Sequence, residues 1–188
     1  EGTLYVDVAA AEGGDGSVEA PFTTLLAALS AAPGGATVAV AAGTYRETLE
    51  LGSALGGLVL AGRCRELVVL DASVGDSSTP GIRVALGAGS ALLSGFTVRD
   101  SRYAGILVTS GELTLREVDL LANAFSGMGV VTTNRLTPAS ALLEDCVVAE
   151  NIGAGLGMYY TGTEVTLRRS VVRDQARGRD RKSTRLHI

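Results

Sequence analysis

The central part of the chain, residues 90–174, repeats itself at intervals that few folds accommodate. Successive repeats begin with a leucine, and these leucines are 22, 28 and 24 residues apart. The repeated leucines are Leu93, Leu115, Leu143 and Leu167. Between them, apolar and polar residues alternate over short segments, which is typical of β-strands. A unit of ~20–30 residues built this way cannot bury its own apolar face, so the pattern predicts coils of strands stacked on one another.

Other positions of the repeat predict how the coils stack. Eight residues after each leucine stands a small polar or amide side chain: Ser101, Asn123, Asn151 and Gln175. Because stacked strands are about 4.7–4.9 Å apart, such side chains hydrogen-bond along the stack. We therefore interpret them as a structural ladder at a turn. Three residues after each leucine, Cys146 shares a position with Phe96 and Val118, which predicts a buried thiol.

The N-terminal segment carries a family resemblance. Its most specific pieces are Tyr5-Val-Asp, Gly13-Gly-Asp-Gly-Ser, Pro21-Phe-Thr, Pro33-Gly-Gly-Ala-Thr-Val and Gly43-Thr-Tyr-Arg-Glu. With the repeats, they resemble right-handed parallel β-helix proteins of the pectin-lyase-like superfamily, of the secreted bacterial type, from Leu4 to about Asp174. The resemblance implies an all-β fold, a right-handed parallel β-helix (solenoid) of about six coils with a short N-terminal capping α-helix. It also implies a secreted or cell-surface protein.

The capping helix is expected near residues 21–32. Phe22, Leu25, Leu26 and Leu29 have the spacing of one helix face, and Pro21 suits a first helical turn. We expect this helix to cover the end of the coil, since an uncovered edge strand invites aggregation.

The sequence predicts one β-helix domain, 1–174, followed by a basic tail, 175–188, that is disordered or not part of the fold. The repeat ends there, because Arg179 occupies the position of the repeated glycine. We expect either a truncated chain or a tail foreign to the coil. Since the sequence begins with Glu1 and not with Met, we also expect a signal peptide to have been removed or left out.

Charge and composition limit the partners. The formal net charge is −4, but residues 173–188 contribute six basic and two acidic residues, so the rest of the chain carries −8. An acidic body argues against nucleic acid as a partner. No apolar run approaches the ~20 residues of a membrane-spanning helix. Two cysteines do not form a disulfide framework, and the pattern leaves the oligomeric state open.

The positions at which catalytic groups are expected carry other residue types. The resemblance implies that hydrolases of this superfamily carry an acidic pair just before the strand that follows the ladder. None of the matching segments, 101–105, 123–127 and 151–155, contains an acid, and the outward positions of that strand are apolar or small. The single histidine, His187, lies in the tail. We therefore predict no catalytic residue in this segment.

Charged side chains near the ladder offer a second kind of site. The position just before the ladder is acidic in three coils: Asp100, Glu150 and Asp174. Glu150 and Asp174 are expected on neighbouring coils, where they could share a cation. The resemblance implies that lyases of this superfamily need a cationic base, often with acids that bind calcium, and Arg102 is close to Asp100 in the sequence. The alternative is that these acids at a turn are exposed to solvent and bind nothing. A further charged position, Arg116, Glu144 and Arg168, predicts ion pairs along the stack.

Aromatic side chains are the third kind of candidate, because sugars often bind on aromatic faces. Tyr159 is expected to face outward if Met158 faces inward, and Tyr160 follows it. Tyr103 and Phe125 are expected to stack as turn packing. Two functions remain: a non-catalytic module that serves as a scaffold or weak polysaccharide-binding surface, or a polysaccharide lyase or glycoside hydrolase whose catalytic coils lie elsewhere.

Overall fold

The three-dimensional description comes from a computed structural model, which describes residues 2–132, 137–159 and 162–176 and the backbone of 186–187. These residues contain one α-helix, α1 (Leu25–Ala31), a 3-10 turn at Ser53–Leu55 and a series of β-strands. The strands are β1 (Thr3–Val6), β2 (Thr37–Val40), β3 (Gly43–Tyr45), β4 (Leu49–Gly52), β5 (Leu58–Gly62), β6 (Val68–Asp71), β7 (Ile82–Arg99), β8 (Ala104–Leu121), β9 (Ser126–Val131), β10 (Ala139–Glu144), β11 (Val147–Ala149), β12 (Ala154–Tyr159), β13 (Glu164–Arg168), β14 (Val171–Arg173) and β15 (Leu186–His187).

The strands form three stacked faces in which every pairing is parallel. Face A carries the repeated leucines: β1, β2, β5, residues 90–94 of β7, residues 112–116 of β8, β10, β13 and β15. Face B follows it: β3, β6, residues 96–99 of β7, residues 118–121 of β8, β11 and β14. Face C completes each turn: β4, residues 82–85 of β7, residues 104–108 of β8, β9 and β12. The chain is thus a parallel β-solenoid, with five turns that carry all three faces, close to the six coils predicted.

The register explains why the sequence repeats. The repeated leucines are paired with one another along face A, from Leu93 to Leu167, and the same column continues back through Leu60 and Val38 to Leu4. These side chains point into a continuous apolar core, in which Leu93 is fully buried. The predicted leucine column is therefore confirmed.

The corners after faces A and B are one-residue bends in the left-handed region. After face A the bends are Gly95, Glu117, Asp145 and Arg169, with φ between 49° and 69°. After face B they are Asp100, Ala122, Glu150 and Asp174, with φ between 54° and 60°. A single residue at positive φ reverses the direction of side chains while adding little length, so each corner keeps the strands of successive turns in register.

The α-helix differs from the prediction at its start. It begins at Leu25, not at Pro21, because the Thr24 side chain caps it by accepting from the Ala27 N–H (3.1 Å). Phe22 lies before the helix in a β-bridge with Val6, and its backbone N–H donates to the Tyr5 carbonyl (2.9 Å).

The buried helix face also differs from the predicted one. Leu25, Ala28 and Leu29 face the core, whereas Leu26 is 56% exposed. Leu25 lies beside Val40 and Leu49 near the β1 end of the stack. That the helix covers the end of the coil stays a prediction.

The tail can be described only in part. Gln175 belongs to the ladder, and Leu186–His187 pairs with β13 on face A. Residues 177–185 and 188 lie outside the described residues, so the prediction for 175–188 as a whole stays a prediction. Within the described ranges, no helix is both long and apolar enough to cross a membrane.

Candidate functional site

The outer surface of face C carries a groove of roughly 230 Å³. Aromatic and aliphatic side chains form its walls: Tyr103, Phe125, Tyr159, Leu107 and Val131. Gly129 lies among them, and the first residues of β8 and β9, Ala104 and Ser126, complete the lining. The lining comes from three successive turns, so the groove exists only in the stacked structure.

Glycines create the space for the groove. Leu107, Gly129 and Gly157 are paired in one outward-facing column of face C, so that a leucine is followed by two positions without side chains. A Cβ added at Gly129 would lie 3.0 Å from Leu107 Cδ1. A Cβ added at Gly157 would lie 2.9 Å from Tyr159 Cε2, because the tyrosine ring lies over this glycine. Both glycines are therefore in close contact with groove side chains.

The aromatic stack is positioned by the ladder. Tyr103 and Phe125 occupy equivalent places in successive turns, and their rings stack with centroids 5.2 Å apart and an interplanar angle of 15°. The Tyr103 N–H donates to Ser101 Oγ (3.2 Å), and the Phe125 N–H donates to the Tyr103 carbonyl (3.0 Å). In the next turn the equivalent residue is Gly153, where a Cβ would lie 1.7 Å from the Phe125 carbonyl oxygen. The stack thus ends at Phe125.

The ladder itself has the predicted structural role. Asn123 and Asn151 are fully buried, and Ser101 is 1% exposed. Asn123 Oδ1 accepts from the Ser101 N–H (3.1 Å), and Asn151 Oδ1 accepts from both the backbone N–H and Nδ2 of Asn123 (3.0 Å each). Gln175 Oε1 continues the series by accepting from the Asn151 N–H (3.1 Å). These side chains are satisfied by one another and by backbone carbonyls, such as that of Leu120, to which Asn151 Nδ2 donates (3.2 Å). None of them lines the groove.

Tyr159 faces outward as the sequence analysis expected. It is 41% exposed at the end of β12, while Met158 packs against the core. Phe125 is 47% exposed, so this ring of the stack presents a free edge to the groove as well as packing at the turn. Tyr160, the other tyrosine proposed for binding, lies outside the described residues.

The acids proposed for a cation site are corner residues. Asp100, Glu150 and Asp174 are the one-residue bends after face B, so the backbone accounts for their position. Asp100 pairs with its neighbour Arg99 (3.3 Å), and Asp174 pairs with its neighbour Arg173. Arg102 is exposed in the same corner. Among the residues that the structure describes, no group of three or more His, Cys, Asp or Glu side chains is arranged to hold a metal ion.

The groove can bind but offers no acid–base pair. No described lining residue carries a carboxylate, imidazole, amine or guanidinium group. A hydrolase of sugar chains needs two carboxyl groups about 5–9.5 Å apart. The chemistry available from these side chains is apolar contact plus hydrogen bonds from the Tyr103, Tyr159 and Ser126 hydroxyls.

The predicted charge column on face A is confirmed as an ion-pair network. Glu144 accepts from Arg116 (3.0 Å) and Arg168 (3.3 Å), which lie on the turns before and after it. The hydrogen bond from Arg116 is the largest cause that holds the pKa of Glu144 below its usual range. Because its partners satisfy it, Glu144 is a structural carboxylate.

The sequence analysis missed an arginine that links distant residues on face B through an ion pair and a hydrogen bond. Arg65, in the loop between β5 and β6, reaches Asp119 Oδ1 (3.4 Å) and donates to the Asp145 carbonyl (2.9 Å). Burial raises the pKa of Asp119, although the Arg65 charge opposes that rise. The run Arg63-Cys64-Arg65-Glu66 suggested only a charged loop, since nothing in it indicates contacts with residues so distant in sequence.

Cys146 is buried as predicted. Its thiol is 1% exposed and lies 3.2 Å from the Glu144 carbonyl oxygen, and burial raises its pKa to about 11. Cys64 is partly exposed, and both cysteines are free thiols.

Comparison with solved structures shows the same fold. Pectin methylesterase PemA from Erwinia chrysanthemi superposes with a TM-score of 0.57 at 16% identity, over 90% of this chain and 65% of that one. A mutant pectin methylesterase in complex with a hexasaccharide gives 0.54 at 17% identity, over 87% and 54%. A rhamnogalacturonan lyase gives 0.51 at 13% identity, over 90% and 68%.

These likenesses concern the backbone. The chain spans about 54–65% of the length of the pectin methylesterases it matches. No family model matches the sequence, and no curated protein matches it. At such low identities the shared property is the architecture: the chain has the pectin-lyase-like parallel β-helix fold.

Proposed function

We propose that this chain is a non-catalytic β-helix module of a secreted or cell-surface protein, and that it binds polysaccharide weakly through the groove on face C. The observation that carries the proposal is the convergence of Tyr103, Phe125 and Tyr159 on one groove whose described lining residues lack an acid–base pair. Sugar rings have apolar C–H faces that pack against aromatic rings, while hydroxyl groups at the rim bond to their edges.

The size of the groove supports weak binding. Pockets that hold drug-sized ligands have volumes of ≈ 300–1,000 Å³, whereas this groove has roughly 230 Å³. It accommodates a short segment of a chain of sugars, with the remainder in solvent. Two of the solved structures that share this fold are pectin methylesterases in complex with hexasaccharides, which supports a carbohydrate ligand by analogy of fold.

A second function follows from the same neighbours. The solved structures that share this architecture include pectin methylesterases and a rhamnogalacturonan lyase. The alternative is therefore a polysaccharide lyase, glycoside hydrolase or esterase, to which this chain contributes part of the β-helix. In that case the acids and the arginine of the corner after face B, among them Asp100 and Arg102, are the first residues to mutate.

Binding is tested by nuclear magnetic resonance titration with a panel of hexasaccharides: neutral glucan, galactan, mannan and fully methyl-esterified galacturonan, each with its uronate counterpart. We expect at least one of them to shift resonances of Tyr159 and Phe125. Tyr159→Ala and Phe125→Ala each weaken binding about fivefold, since an aromatic contact is worth about 1 kcal/mol. Leu26→Ala is the matched control, because Leu26 is 56% exposed on the helix and does not line the groove.

Activity is tested on the same panel with and without calcium. Reducing ends report hydrolysis, unsaturated products report a lyase, and released acid reports an esterase. Chain shortening or acid release that Tyr159→Ala, Asp100→Asn or Arg102→Gln abolishes would refute the non-catalytic proposal. No binding to any member of the panel would refute the carbohydrate ligand itself.

A further inference from the structure

The charges around the groove limit the class of ligand more narrowly than the shape of the groove does. The described lining residues are uncharged, so selectivity between charged and uncharged ligands depends on the side chains at its border. These lie in two places: the strand of face C beside Leu107, and the corner that leads into the Tyr103–Phe125 stack.

On the strand side of the groove, the cation is Arg83, and its neighbour on the preceding turn is the acid Glu50. Arg83 is paired in register with Leu107, and Glu50 is paired with Arg83 on the turn before. Because neighbouring strands are about 4.8 Å apart, the carboxylate of Glu50 offsets the positive charge that Arg83 brings to this border. This border therefore supplies no net positive charge.

On the corner side, acids again offset the cations. Asp100 and Glu150 are held in the corner by their positive φ, Arg99 pairs with Asp100 (3.3 Å), and the exposed Arg102 lies two residues from Asp100. Together the two described borders have three cations and three acids, within a chain whose residues 1–172 carry −8. Along these two described borders an anionic ligand therefore finds no excess of cations, and it meets the repulsion of the acidic body. Among the described side chains, no group of three or more His, Cys, Asp or Glu is arranged to hold a metal ion.

We propose that the groove selects uncharged glycans and discriminates against polyuronates. This inference rests on the proposed carbohydrate-binding function and specifies its substrate class. Apolar contact with the aromatic rings is available to both kinds of chain, and the difference between them is the charge that each uronate brings close to the corner acids. The binding of an uncharged glycan is therefore insensitive to salt, whereas screening relieves the repulsion of a polyuronate.

The test compares each neutral hexasaccharide of the panel with the same backbone carrying free carboxylates. We expect the neutral form to bind about tenfold more tightly at low salt, and the ratio to fall as salt is raised. Asp100→Asn combined with Glu150→Gln gives the border an excess of cations and reduces the low-salt ratio to about threefold or less. Glu112→Gln combined with Glu164→Gln is the control, because it also removes two negative charges, from exposed positions on face A. All variants are also made with Arg135→Gln, so that this cation outside the described residues does not mask the effect.

The outcomes separate the two proposals. Equal or tighter binding of the uronate form, or uronate binding that weakens with salt, overturns the selectivity while leaving carbohydrate binding intact. A ratio that the double variant of Glu112 and Glu164 reduces as much as the corner variant also overturns it, because the cause is then the net charge of the whole chain. Binding of neither form refutes the proposed function, and the selectivity with it.

Discussion

Replacement of Asn123 by alanine tests whether the ladder holds the turns together. Asn123 is fully buried, its Oδ1 accepts from the Ser101 N–H (3.1 Å), and its Nδ2 donates to Asn151 Oδ1 (3.0 Å). In Asn123→Ala the Ser101 N–H loses its acceptor in a place where Ser101 is only 1% exposed. The Asn151 oxygen keeps its bond from the backbone N–H of residue 123 (3.0 Å), so it is not left unpaired.

The expected cost follows from these two changes. A buried donor without a partner costs about 1–3 kcal/mol, and the lost amide–amide bond contributes about 1 kcal/mol. We therefore expect Asn123→Ala to lower the free energy of unfolding by about 2–4 kcal/mol. Because Tyr103 is positioned by Ser101, the same variant should also weaken ligand binding in the groove.

Urea unfolding followed by circular dichroism measures the change, and equal m-values in parent and variant show that the comparison is sound. Asn123→Asp is the isosteric companion, since it keeps the acceptor for Ser101 but places an oxygen against Asn151 Oδ1. The facing oxygen raises the folded-state pKa of this new carboxyl group above its unfolded value. Relative to the parent, the stability of Asn123→Asp therefore falls as the pH rises from the unfolded pKa towards the folded one, whereas the loss in Asn123→Ala relative to the parent stays nearly constant. A loss below about 1 kcal/mol in Asn123→Ala would refute the reasoning, because the ladder would then be replaceable.

Three further predictions concern stability and reactivity. Ala122→Gly should raise the free energy of unfolding by roughly 0.5–1 kcal/mol, because Ala122 has φ 54°, whereas Ala124→Gly, at a position without positive φ, should lower it in the same urea assay. Glu144→Gln should lower the unfolding temperature at neutral pH, and this deficit should disappear as the pH falls through the depressed folded-state pKa of Glu144; a deficit that persists in acid would contradict the ion-pair explanation. In thiol labelling of the native protein, Cys64 should react readily and Cys146 only on unfolding, since burial raises the pKa of Cys146 to about 11; equal rates would contradict its burial.

The stacking of the coils could be predicted from the sequence because it depends on periodicity. Leu93 and Leu115 occupy the same place in a repeat, and a repeat of strands has one way to bury them. The ladder could be predicted for the same reason. The start of the helix could not, because the spacing of Phe22 and Leu26 fits a helix equally well, and the pairing of Phe22 with β1 depends on a contact distant in sequence.

The sequence predicted individual residues of the groove but not the groove itself. Tyr159 and the pair Tyr103 and Phe125 were separate aromatic candidates, and Gly129 belonged to a surface that looked empty. Their convergence depends on the register of β8, β9 and β12, which no single repeat contains. Likewise, the sequence presents Glu150 as a candidate ligand. Ala122 occupies the same corner in the preceding turn, and neither an alanine nor a glutamate indicates that the backbone there takes a positive φ.

The one-residue corners have a consequence for how this chain tolerates change. From Leu93 onwards, the distance from each repeated leucine to its glycine is constant at twelve residues, while the repeats are 22, 28 and 24 residues long. In these repeats the variation in length therefore falls between face C and face A. The longest such connection joins Val131, at the end of the groove, to Ala139, and the Ala139 N–H donates to Thr132 Oγ1 (3.3 Å) where its two ends meet. A segment exchanged between these anchors changes the connection after Val131 without shifting any strand. The repeats from Leu93 onwards can thus accept connecting segments of different length and sequence between face C and face A.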